Sequence, residues 1–166
     1  MENTYDYDIR NDSEIVCNPE NTCTFFGHRD ALEGIRYELK QVLIDLIENK
    51  GVQFFYVGNN GRFDSMVQKE LELFSSVYKH ICYQVVIHNM PDDKLCIDGI
   101  DNFRILYPDA DLEKTPKRFT IDRRNRWMLK ESDYVVTYVW RNYGGAYKFK
   151  TLAEKKGKTV INLCEE

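Results

Sequence analysis

The chain has 166 residues, 43% of them hydrophobic and 30% charged, with a net charge of −4 and a pI of about 5.5. That length suits one domain with a core of its own. The acidic balance argues against a protein that grips nucleic-acid backbones non-specifically, which takes a basic surface, and no apolar run approaches the roughly 18 residues of a membrane span.

A small anionic ligand stays open, because a pocket needs only local positive charge. The N-terminus, "MENTYDYDIRNDSE", is polar and acidic, so it reads as neither a secretory signal nor a transit peptide, and a cytoplasmic location is expected. The five cysteines (Cys17, Cys23, Cys82, Cys96 and Cys164) are an odd number with no C-x-x-C pair. They read as free thiols, and no metal or cofactor is implied by their spacing to His28, His80 or His88.

Residues 1–21 show no sustained period and are taken as a peripheral arm, with a single domain over 22–166. "TCTFF" reads as the first strand. Asp30-Ala-Leu-Glu33 has the pattern of a capping box, and Leu32, Ile35, Leu39, Val42, Leu43, Leu46 and Ile47 follow at helical spacing up to a Gly51 cap. "VQFFYV" is the second strand, 63–78 the second helix and "ICYQVVI" the third strand.

Residues 89–113 then lose periodicity and turn acidic, which reads as a long loop or lid with a short strand near "RILY". Thr115-Pro116 predicts a helix start, with proline at the first helical position, running to about Glu131. "YVVTYV" is a fourth strand, Gly144 to Lys156 a fourth helix, and "TVINL" a fifth strand. Strands alternating with helices predict an α/β Rossmann-like three-layer sandwich with a mostly parallel sheet of about five strands.

In such a sheet every strand-to-helix loop emerges at the carboxyl edge, where ligands bind. Three glycine-rich segments fall in these loops: Gly27-His28-Arg29-Asp30, Gly58-Asn59-Asn60-Gly61-Arg62-Phe63-Asp64, and Tyr143-Gly144-Gly145-Ala146. Gly51 and Gly157 fall at the opposite edge, where capping accounts for them. Glycine lets a backbone N–H approach a phosphate, and the helix that follows adds unpaired N–H groups and partial positive charge. Gly144-Gly145-Ala146 is therefore the first candidate for a phosphate cradle.

Asn59 and Asn60 suit a ribose or base edge, or simply the turn. Asp64 could hold ribose hydroxyls, act as acid/base, or cap the second helix. Arg29 could fork onto a phosphate or pair with a neighbouring acid, and His28 could donate a proton or serve as a hydrogen-bonded structural residue. On the third helix, Arg123, Arg126 and Lys130 share a face, which is either a solvated basic surface or the source of one arginine for the pocket, Arg123, Arg124 or Arg126. Phe63, Tyr138, Trp140 and Tyr143 could stack on a base, with interior packing as the alternative.

The combination of "CTFFGHRD", "FYVGNNGRFD", "RNRWML", "SDYVVTYV", "GGAYKF" and "KGKTVINL" resembles the SLOG superfamily, which includes the Smf/DprA DNA-processing proteins and the lonely-guy phosphoribohydrolases. The likeness spans roughly residues 22 to 164 and is greatest to the small stand-alone bacterial and phage members. It implies a nucleotide or nucleotide-derived ligand at the three loops, and a homodimer by analogy. Lonely-guy enzymes carry a Pro-Gly-Gly-x-Gly-Thr-x-x-Glu pattern at their fourth-helix loop. Here the run is Asn142-Tyr143-Gly144-Gly145-Ala146-Tyr147-Lys148-Phe149-Lys150, which keeps the glycine pair but not the glutamate.

The expected function is thus a binder of a small nucleotide-type ligand, ADP-ribose-like or a cyclic signalling nucleotide, acting as sensor or sequestering protein. The alternative is a hydrolase of an N-glycosidic or phosphate-ester bond, with Asp64 as acid/base and Arg29 or Arg126 as charge clamp. A protein-interaction module that retains the fold is a third reading.

Overall fold

A computed structural model describes residues 22–90 and 104–164 of the chain. The N-terminal arm, Cys17, Cys96 and the central part of the acidic 89–113 segment lie outside the described residues. The elements run β1 (Thr22–Gly27), a 3-10 turn (Glu33–Ile35), α1 (Arg36–Glu48), β2 (Phe54–Val57), α2 (Gly61–Val77), β3 (Cys82–Val86) and β4 (Ile105–Leu106). Two further 3-10 turns (Leu112–Lys114 and Lys117–Phe119) lead into α3 (Thr120–Lys130), β5 (Tyr134–Tyr138), α4 (Gly145–Lys155) and β6 (Thr159–Asn162).

All five strand pairings are parallel, and the sheet order is β4-β3-β2-β1-β5-β6. The sheet has six strands rather than about five, because the short strand near "RILY" adds Ile105 and Leu106 beside β3. Helices cover both faces, giving the Rossmann-like three-layer arrangement.

Strand alternation sends successive side chains to opposite layers. Cys23 and Phe25 of β1, Phe55 and Val57 of β2, and Val136 and Tyr138 of β5 join Leu39, Leu43, Leu46 and Ile47 of α1 and Phe63, Met66, Val67 and Leu71 of α2 in one core. Phe26, Val86 and Val135 point the other way and pack with Met128 and Leu129 of α3 and Phe149 and Ala153 of α4. Phe26 and Phe149 stack with ring centres 5.1 Å apart. Both faces of the central strands are therefore apolar, which is why their sequence reads as continuous hydrophobic runs. Cys23 sits wholly inside this core, where burial pushes its thiol far above the ordinary range.

Two helix starts differ from the sequence expectation. Asp30 makes no capping bond to the first helix; Glu33–Ile35 forms a 3-10 turn, α1 begins at Arg36 with no side-chain cap, and Asp30 instead reaches Arg141. Pro116 is not the first residue of an α-helix either. It precedes the 3-10 turn Lys117–Phe119, and α3 begins only at Thr120. Proline fixes its own φ but not whether the next turn closes with three-residue or four-residue spacing.

Among the described residues no helix is long and apolar enough to cross a membrane. From β1 the chain steps through β2 and β3 to β4 along one side of the sheet, then returns to place β5 against the other side of β1. This reversal splays apart the loops that leave β1 and β5 and opens a crevice at their carboxyl ends.

Candidate functional site

A cavity of about 350 Å³ occupies that crevice. The loops that follow β1, β2 and β5 all contribute to it, together with α3 and the start of α4. Hydrogen bonds fasten the loops to one another. The His28 amide donates to Tyr138 O at 3.1 Å, continuing the β1–β5 ladder, and the Arg62 amide donates to Arg29 O at 2.9 Å, joining the β1 and β2 loops.

The His28 ring completes this bracing. It is buried, and its Nε2 accepts from the backbone amides of Trp140 and Arg141 at 3.3 and 3.4 Å. Burial, aided by the Arg141 charge and opposed by Asp30, holds its pKa below the usual histidine range. A ring that accepts at Nε2 is neutral and carries its proton on Nδ1. Of the two sequence readings for His28, this geometry matches the hydrogen-bonded structural one, although the residue also lines the cavity.

The electrostatic centre of the site is Arg124, which is 2% exposed. Its guanidinium donates to Asn59 Oδ1 (3.1 Å), Asn60 Oδ1 (3.0 Å), Asn125 Oδ1 (3.0 Å) and Val86 O (3.0 Å). All four acceptors are neutral. Burial lowers its pKa, with Asp64 pulling in the opposite direction. Buried cations are normally paired with an anion at bonding distance; here the positive charge is held by dipoles at the wall of a cavity.

Asp64 lines the same cavity and is 7% exposed. Its Oδ2 accepts from the Asn60 amide at 2.9 Å, so the acid reaches back from the first turn of α2 to the residue before the helix. Burial raises its pKa to about 6, against the downward pull of Arg124, the Asn60 amide and Arg29. Gly58 sits between the two charged groups: a Cβ there would stand 2.7 Å from Asp64 Oδ2 and 2.9 Å from Arg124 Nη1. The residue is glycine because acid and guanidinium close over its backbone.

Opposite them, α4 presents its first turn. Gly144 precedes the helix with φ 92°, a left-handed conformation that a side chain would disfavour. The first amide bonded back into the helix is that of Lys148, to Gly144 O. The amides of Gly145 and Ala146 are among the orphan donors of the helix start, and both residues line the cavity.

Of the residues singled out in the sequence, Gly27, His28, Arg29, Asn60, Asp64, Arg124, Gly144, Gly145 and Ala146 meet at this cavity. The others stand behind or beside it. Asn59 and Gly58 back it through Arg124. Gly61 opens α2 against Arg29, whose Cα would lie 2.9 Å from an added Cβ. Phe63 is a core residue, 1% exposed, stacked on Tyr138 at 6.1 Å and lying under Gly27; it offers no face to a base. Tyr143 is exposed, with the Arg141 guanidinium 5.2 Å from its ring centre.

Arg123 and Arg126 point elsewhere. Arg123 donates to Ala110 O at 3.3 Å, and Arg126 pairs with Asp122 at 2.8 Å beside a shallow groove along α4. The arginine of α3 that enters the cavity is the one between them. Arg124 was one of the three arginines that the sequence offered for the pocket; Asn125, next along the helix, and Arg141, two residues after Val139 in the β5 loop, line it too and were not singled out. A basic run on α3 was visible in the sequence, but one helical residue changes direction by about 100°, so the run did not say which arginine turns inward.

Fold and site together define a Rossmann-like α/β protein with a ligand-sized cavity at its topological switch point. Comparison of the chain with protein-family models, curated proteins and solved structures found no match.

Proposed function

We propose that this protein binds a small nucleotide or nucleotide-derived ligand at the β1–β5 crevice and acts as a sensor or sequestering protein. The observation that carries the reading is the pairing, in one cavity, of a buried guanidinium held only by neutral acceptors with the first turn of α4. Both favour an anion, and a phosphate group satisfies both at once. The cavity volume suits a nucleoside monophosphate or one half of a larger ADP-ribose-like or cyclic ligand. The resemblance of the loops to SLOG proteins points the same way. The absence of the lonely-guy glutamate, whose place in register with Gly144-Gly145 is taken by Thr151, favours binding over N-glycosidic cleavage, whose transition state needs a carboxylate beside the ribose.

A second reading, hydrolysis of an N-glycosidic or phosphate-ester bond, draws on Asp64. Its carboxyl is buried at the cavity wall and its pKa is raised to about 6, the range in which a carboxyl can give and take a proton near neutrality. The test is to incubate the purified protein with a panel of nucleotides while following both melting temperature and chromatographic turnover. A stabilising shift without product supports the binder. Product that disappears in Asp64→Asn supports the hydrolase. Neither a shift nor product across the panel refutes both.

A further inference from the structure

One guanidinium fixes the orientation of three carboxamides. Arg124 Nη1 meets Asn59 Oδ1, Nη2 meets Asn60 Oδ1 and Nε meets Asn125 Oδ1, all at 3.0–3.1 Å. A guanidinium is all donor and has no acceptor, so each asparagine can face it only with its oxygen. The NH2 groups must therefore turn away from Arg124. Asn60 and Asn125 both stand in the cavity wall, so two of these NH2 groups belong to the site. Arg29 and Arg141 add further donors, and His28, with Nε2 occupied by two amides, has only its Nδ1 proton to offer. Among the described residues lining the cavity, Asp64 is the one acidic side chain, and so the strongest acceptor for a hydrogen bond from a ligand. Its Oδ2 already takes the Asn60 amide, which leaves Oδ1 for that task.

We infer that Arg124 sets the polarity of the cavity by locking Asn59, Asn60 and Asn125 as donors, so that the site selects a phosphate-type oxyanion carrying, beside it, a hydroxyl directed at Asp64. Arg124 thus supplies the positive charge and acts as a positioning residue, while Asn60 and Asn125 supply hydrogen-bond donors to the anion. The inference rests on the nucleotide reading and deepens it: of a nucleotide, the polar wall of this cavity takes the phosphate and a sugar hydroxyl.

The donor role of Asn60 and Asn125 has a sharp test. Asn60→Asp and Asn125→Asp keep an oxygen for Arg124 but exchange the outward NH2 for a second, anionic oxygen. AMP, ribose 5-phosphate and adenosine are titrated calorimetrically into the wild type and each variant, and melting temperatures are recorded in parallel. The wild type is expected to bind AMP and ribose 5-phosphate at least about tenfold more tightly than adenosine, and each variant to lose about tenfold or more toward the phosphorylated probes. Melting temperatures should hold or rise, because the new carboxylate faces a buried cation; a network with only a structural role would show that change in stability with the affinities for the probes unchanged.

Wild-type affinity for AMP in both variants overturns the inference and leaves the nucleotide proposal standing. Binding of ribose 5-phosphate but of no nucleotide, lost in the variants, overturns the nucleotide proposal and leaves the inference standing. Absence of binding for every probe in the wild type overturns both.

Discussion

Replacing Asp64 by asparagine should stabilise this protein, and by an amount that depends on pH. The carboxyl is buried beside Gly58, and its pKa rises from 3.8 to about 6 because burial outweighs the attraction of Arg124, the Asn60 amide and Arg29. The unfolded chain releases the proton more readily than the folded one. Folding therefore carries a penalty that is absent below the unfolded value, grows as pH rises between the two values and is complete above the folded one. A displacement of about two pH units corresponds to about 3 kcal/mol at full ionisation, of which about half is present near pH 5.

The carboxamide introduced by Asp64→Asn would keep the oxygen that accepts from the Asn60 amide and would never ionise. Urea unfolding of wild type and Asp64→Asn at about pH 8 and about pH 5 should show the stability difference between the two proteins shifting in favour of the variant by about 1.5 kcal/mol at the higher pH. Using the difference between proteins removes the other titrating groups, which both share. If the difference is the same at both pH values, Asp64 titrates alike in folded and unfolded chains, and its burial has no electrostatic consequence.

Two further outcomes follow from the way the loops are packed. In Gly27→Ala the new methyl would fall 2.1 Å from Phe63 Cδ1, an overpacking expected to cost about 1–3 kcal/mol; Phe63→Leu in the same chain should recover part of that loss, so strictly additive unfolding free energies would show that the two side chains do not meet. In His28→Phe the amides of Trp140 and Arg141 lose their acceptor, at a cost of about 1–3 kcal/mol. Hydrogen exchange should then accelerate at these two amides far more than at the strand amides of Tyr134–Tyr138, and unchanged exchange there would mean that the ring does not hold the β5 loop.

Much of the architecture was legible in the sequence because its signals are local. The hydrophobic runs "TCTFF", "VQFFYV" and "YVVTYV" fall on β1, β2 and β5 within a residue or two, since a strand covered on both faces needs an apolar residue at nearly every position. Glycines at the strand-to-helix loops marked the carboxyl edge, and the cavity lies there. Helix starts were less legible. The Asp30–Glu33 pattern and Pro116 each mark a place where the chain turns, but 3-10 and α turns share the same first residues, and packing decides between them.

What the residues alone determined is the alternation of strand and helix and the chemistry waiting at one rim: glycines, asparagines, an acid and a run of arginines. Tertiary structure decided which of these meet. The placement of β5 against β1 rather than beyond β4 brought Gly27 and Gly144 to one crevice, and the docking of Met128 and Leu129 against Phe26 and Val135 set the rotation of α3. That rotation buries Arg124 and leaves Arg123 and Arg126 outside. Periodicity gives the spacing of residues around a helix, but its absolute phase is fixed only when an apolar stripe finds the sheet it must cover.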